Sequence, residues 1–249
     1  MSGARHDTVE AYKDEINHSR NDVRPPKNGA VFYTNNGRDK AREYVAEQRD
    51  QGKEATTLEQ TEHGRKLDND KLFDRSDPRT NQLELNEAKR INQETGKVSL
   101  DKHNAATKVW DHESKTYGEQ ATGRVTVVTN DRAIKENSFF ARNEREALIR
   151  NEKVTHINGV ERKELQTKLD AVDRAKSREA NAMTAAQRER AKSEHNEALR
   201  DLNGVIERND PTRDKSKEKT EPVVERKSAF EKQQESKTTV DSAPPTKKK

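Results

Sequence analysis

The chain has 249 residues and carries 50 basic and 46 acidic side chains, for a net charge of +4. Its charges are interleaved along the chain, which excludes the one-sided basic footprint of a specific nucleic-acid binder. The lack of cysteine excludes disulfides and thiolate zinc sites. No apolar run reaches membrane-spanning length. With 27% apolar and 39% charged residues, core-forming material is scarce and has to be looked for locally.

Residues 1–30 are polar, contain Pro25-Pro26, and read as a short helix or tail followed by a linker. The apolar run Val31-Phe32-Tyr33 is followed by a turn cluster, Thr34-Asn35-Asn36-Gly37. Arg38 to Gln51 reads as a helix with Ala41, Tyr44, Val45 and Gln48 along one side, ended by Gly52. Leu83 to Asn92 has the spacing of another helix. Trp110, Ser114, Tyr117 and Ala121 fall at i, i+4, i+7 and i+11, one face of a helix that Asp101 or Asn104 would cap and Gly123 would stop. Val125, Val127 and Val128 form a short buried strand. Ala147 to Ile149 and Val154 to Ile157 close this domain, with Asn158-Gly159 as a turn.

From Val160 the character changes. Leu165, Leu169, Val172, Ala175, Met183, Ala186, Leu199, Leu202 and Val205 give a thin helical stripe over 160–208. Its first half is expected to dock on the core, and Met183 to Val205 to be loose or partner-bound. Residues 209–249 are rich in Lys, Glu, Pro and Ser/Thr and are expected to be a disordered basic tail. Eight of the ten aromatic residues lie between 32 and 140, so the compact domain is assigned to 31–159. The fold class is α+β.

The seven histidines show no metal-ligand spacing, and His63 is expected on the polar surface. Two carboxylates are candidates for chemistry. Glu59 sits in Thr57-Leu58-Glu59-Gln60-Thr61, and Glu144 follows Ser138-Phe139-Phe140. Paired carboxylates beside aromatic side chains suit glycosidic-bond cleavage, whose transition state is an oxocarbenium cation.

Four motifs, in order, resemble the ADP-ribosyl cyclase family. These are Thr57-Leu58-Glu59-x-Thr61 with Gly64 and Asp68 beyond it, Trp110-x3-Ser114-x2-Tyr117, the Ala121/Gly123/valine strand, and Ser138-x-Phe140-x3-Glu144. The likeness covers residues 31–160. It implies that Glu144 is catalytic and that Trp110 and Glu59 hold the nicotinamide end of NAD. It places Ser138, Phe140 and Asp68 in the substrate site, with Tyr33, Thr34 and Arg38 toward the rest of the dinucleotide. NAD would be the substrate, and no further cofactor or metal is implied.

The activity implied is that of an NAD glycohydrolase giving ADP-ribose and some cyclic ADP-ribose. Such an enzyme would drain its own cell, so a secreted effector or toxin is expected, carried by a specialised export route and held in check by an inhibitory immunity partner. The chain departs from the family pattern in having no cysteine, in Gln60 where an acid is common, and in the insertion Asn35-Asn36-Gly37. A non-enzymatic helical adaptor acting through 160–208 is the competing reading. An ADP-ribosyltransferase is a third, but beyond Glu144-Arg145-Glu146 its motif set is missing.

Overall fold

A computed structural model describes residues 6–34, 36–72, 74, 76–95, 104–130 and 132–213. Four strands form one sheet in the order β1 (Ala30–Tyr33), β2 (Gly123–Val128), β3 (Val154–Ile157) and β4 (Val160–Glu161). The pairs β1–β2 and β2–β3 are parallel, and β3–β4 is an antiparallel hairpin. Parallel neighbours need long crossovers. Between β1 and β2 the crossover holds α2 (Arg38–Asp50), α3 (Glu62–Asn69), α4 (Pro78–Thr95) and α5 (Asn104–Gln120). Between β2 and β3 lies α6 (Arg145–Arg150). This is the α+β class expected.

Local chemistry explains the joints. Asn158 and Gly159 both have positive φ, 51° and 81°, as a two-residue hairpin turn with matching twist demands. The Asn158 side chain also pairs with β2, accepting from Val127 N at 2.7 Å and donating to its carbonyl at 2.9 Å. Gly123 (φ 75°) stops the chain after α5, and a Cβ there would lie 2.1 Å from Asn28 Oδ1. The helix α5 begins at Asn104, and Asp101 lies outside the described residues. Two amides of its first turn donate to the Glu84 carboxylate of α4, Ala105 N at 3.0 Å and Ala106 N at 3.3 Å, an acid where orphan N–H groups need one.

Of the short helix or tail expected over 1–30, the structure has the helix, and it is packed into the core rather than trailing as a tail. Val9–His18 is a helix, α1, capped by the Thr8 side chain. Val9, Tyr12 and Ile16 are buried on one face, and with Val23 they join the cluster that contains Trp110 and Val109 of α5. Three apolar residues at i, i+3 and i+7 make a seam narrow enough to hide within a polar stretch.

The C-terminal helices α7 (Arg162–Ala180) and α8 (Ala185–Arg208) form a hairpin. A Thr184–Gln187 capping box starts α8. Leu165, Leu169, Val172 and Ala175 are buried, so α7 docks as expected. In α8 the return end is buried through Leu202, Val205 and Ile206, its first half rests on α7 through the buried Ala191 and the His195–Glu179 bond, and Met183 at the tip is 94% exposed. Met183 to Val205 is thus exposed at its start and docked at its end. Leu165 and Leu202 share one core with Trp110. Of the expected tail, 209–213 are described, with Asp210 buried, and 214–249 lie outside the described residues.

Candidate active site

A cavity of about 180 Å³ opens at the C-terminal end of β1 and is lined by Phe32, Tyr33, Arg38, Leu58, Glu59, Asp68, Trp110, Ser114, Tyr117, Phe139 and Glu144, with Val31. Ligands of parallel sheets characteristically bind beyond the carboxyl ends of the strands. Each wall has a local cause.

The helix α5 supplies Trp110, Ser114 and Tyr117 from the face its spacing defines. Tyr117 is fully buried, donates to Thr56 O at 2.6 Å and accepts from Val31 N at 3.3 Å. This holds the helix against the strand. Trp110 is both core and cavity wall.

Glu59 sits in a 3-10 turn, Leu58–Gln60. Gln60 Oε1 accepts the Thr57 N–H at 3.1 Å, so the amide present here makes a capping-box bond that an acid would also make. Thr61 Oγ1 accepts Gly64 N at 3.0 Å and starts α3. A Cβ on Gly64 would fall 2.0 Å from Leu58 O. Gly64→Ala must therefore push α3 away from the turn that carries Glu59. We expect a stability loss of about 1–3 kcal/mol in urea unfolding, together with reduced ligand binding. Unchanged unfolding would show that the contact relaxes freely.

Tyr33 donates to Glu59 Oε1, while Glu59 Oε2 is buried with no hydrogen-bond partner among the described residues. Burial and the Glu59 charge push the Tyr33 hydroxyl pKa far up, so it stays a donor. Arg38 pairs with Asp68 at 3.0 Å across the mouth of the site. Thr34 Oγ1 and Arg38 Nε, on either side of the turn into α2, are also buried without hydrogen-bond partners among the described residues.

Glu144 closes a π-helical turn, Phe140–Glu144, that runs into α6. Such turns carry one surplus residue and recur at functional sites. Ser114 donates its hydroxyl to Glu144 Oε1. Burial pushes the Glu144 carboxyl up to about 8, with Ser114 opposing and the charges of Glu59 and Asp111 adding to the rise.

Trp110, Glu59, Glu144, Tyr33, Arg38 and Asp68 thus meet at one cavity. Three expected site residues are not among those that line it. Phe140 is fully buried in the core, and Phe139, 38% exposed with the Arg142 guanidinium 5.0 Å over its ring, faces the cavity instead. The surplus residue of the π turn shifts the helical phase at this point, so α-helical spacing could not tell the two rings apart. Ser138 caps the turn, donating to Lys135 O at 2.6 Å and accepting Ala141 N at 3.2 Å. Thr34 is buried beside the cavity. His63 is not on the surface. It is buried, 2.9 Å from the buried Glu113, and the pair ties α3 to α5. Nothing in the sequence couples two residues 50 positions apart.

The family model for ADP-ribosyl cyclase matches residues 4–208. The chain belongs to the ADP-ribosyl cyclase family. Solved structures similar to this cyclase-family chain include an ADP-ribosyl cyclase complexed with N1-cIDPR and Aplysia cyclase complexed with the substrate NGD and product cGDPR. Each is 25% identical, with a TM-score of 0.33, over 53% of this chain and 48% of the other. A glutamate-to-alanine mutant of ADP-ribosyl cyclase is 23% identical over the same shares, also with a TM-score of 0.33. The cyclase-family chain spans about half the length of these structures. No curated protein sequence matches it.

Proposed function

We propose that this cyclase-family chain cleaves the nicotinamide–ribosyl bond of NAD, releasing nicotinamide and ADP-ribose with some cyclic ADP-ribose. The observation that carries this reading is the buried Glu144 carboxyl beside Trp110 in an aromatic cavity, in a chain of this family. The unpartnered groups fit the same substrate. Glu59 Oε2 is an acceptor suited to the nicotinamide carboxamide, and Thr34 Oγ1 and Arg38 Nε are donors suited to the pyrophosphate.

The nicotinamide ring is cationic, so it leaves without being protonated. The C1′–N bond breaks, its electron pair neutralises the ring, and positive charge develops on the ribosyl group. Glu144, ionised, stabilises that charge in a site with little water. The incoming cationic ring favours the ionised form, drawing the pKa of Glu144 down from its free value. Water attack at C1′ then gives ADP-ribose, its proton passing to solvent, and attack by an adenine nitrogen gives the cyclic product.

Because this reaction would deplete the NAD of any cell containing it, we propose further that the enzyme acts as a secreted effector or toxin with an inhibitory immunity partner. Among the described residues no helix is long and apolar enough to cross a membrane, and no His/Cys/Asp/Glu group could hold a metal ion. Purified protein incubated with NAD should give nicotinamide and ADP-ribose on chromatography. NAD recovered intact would remove this reading.

A further inference from the structure

The segment that carries Phe139 and Glu144 begins just after β2, at Thr129. Besides its bonds to α5, from Ser114 to Glu144 and from Arg142 and Asn143 to Asp111, it is fastened by α8 and the residues just after it. Thr129 donates both its amide and its hydroxyl to Asp210 Oδ2, at 2.7 and 2.8 Å. Ile134 N donates to Glu207 Oε1 at 2.7 Å. Arg145, the residue after Glu144, donates to Asn203 Oδ1 at 2.7 Å and to both oxygens of Glu136 at 2.9 Å. Asn203 in turn donates to Glu136 at 2.8 Å. Arg145, Asn203 and Asp210 are all buried.

One turn of α8 and the residues just after it therefore grip the segment at four points, on both sides of the cavity-lining residues. These fastenings are polar and directional, so they fix geometry where apolar packing alone would permit sliding. Asp210 is itself fixed, since its other oxygen accepts from Thr212 N and Oγ1, each at 2.8 Å.

We infer that Asn203, Glu207 and Asp210 are positioning residues, and that the α7–α8 hairpin serves to hold Glu144 and Phe139 against the cavity. The inference rests on the NAD-cleaving reading for its kinetic test and on the geometry alone for its structural test. A displacement of about 1 Å at a reacting group can cost on the order of 10² in rate. Asp210→Ala and Asn203→Ala should lower kcat for nicotinamide release roughly tenfold to a hundredfold, with KM little changed. Asp210→Asn, which keeps an acceptor for Thr129, should recover most of the loss. Asp201→Ala, on the same helix as Asn203, removes a surface pair to Lys168 of α7 and should leave kcat as in the wild type.

Hydrogen exchange supplies the second arm. In Asp210→Ala the amides of 129–145 should exchange faster, while those of β3 keep their protection. Glu207→Ala frees only the Ile134 amide and should speed exchange at that residue, so the idea remains testable if the Asp210 variant unfolds. Wild-type kcat in both Asp210→Ala and Asn203→Ala, an equal loss in Asp201→Ala, or unchanged exchange over 129–145 would overturn the inference. If the wild type releases no nicotinamide, the functional reading fails, and exchange alone decides whether α8 holds the segment.

Discussion

Glu144→Gln is expected to remove NAD cleavage and, in neutral and alkaline buffer, to make the protein more stable. The substitution keeps the shape and deletes the charge that faces the ribosyl cation, so the rate should fall on the order of 10²–10³. The stability gain follows from burial. The carboxyl ionises near 4.5 in the unfolded chain and at about 8 in the folded one. Below pH 4.5 both states are protonated and the charge costs nothing. As pH rises from there to about 8, the unfolded state has released its proton while the folded state keeps it, so wild-type stability falls. Glutamine has no such charge, and at pH 8 the difference should be on the order of a few kcal/mol. Calorimetry at pH 4 and pH 8, with nicotinamide release measured in parallel, checks both halves. A variant with wild-type turnover, or one whose melting temperature lags the wild type at pH 8, contradicts the assignment. In the wild type, kcat/KM should climb with pH toward a midpoint of about 8.

A chain beginning at residue 24 should fail to fold. It lacks Val9, Tyr12, Ile16 and Val23, all fully buried, and each such side chain contributes ~1.5–3 kcal/mol. Together they approach the roughly 5–15 kcal/mol that separates a folded domain from its unfolded state. Their loss also exposes the apolar surface of α5 against which α1 packs. Far-UV circular dichroism of the shortened chain should show a large loss of helix, with no NAD cleavage. A folded, active product would mean that α1 is dispensable.

How much of this was legible in the sequence depended on whether the signal was local. The Trp110–Ser114–Tyr117 face, the Gly123 stop, the valine strand and the Asn158-Gly159 turn each declare themselves within a dozen residues, and all four occur as read. The burial of α1 did not stand out, because three apolar residues among polar neighbours satisfy a helix period without signalling burial. The π turn was not legible either. It depends on packing at both ends, and it decides which of two adjacent phenylalanines faces the cavity. His63 with Glu113, and Arg145 with Asn203, are pairs that only the tertiary fold creates. The cavity could therefore be anticipated in its aromatic residues and acids, but not in the polar links that fix them.

The fastening of Thr129 by Asp210 has a temporal side. The two residues are 81 positions apart, and contacts that close long loops tend to form late because the chain entropy must be lost first. During synthesis, α5 and β2 leave the ribosome well before Asp210 does. A nascent chain would have its aromatic cavity wall before it had the means to fix the acid opposite, so catalytic competence would arrive among the last events of folding.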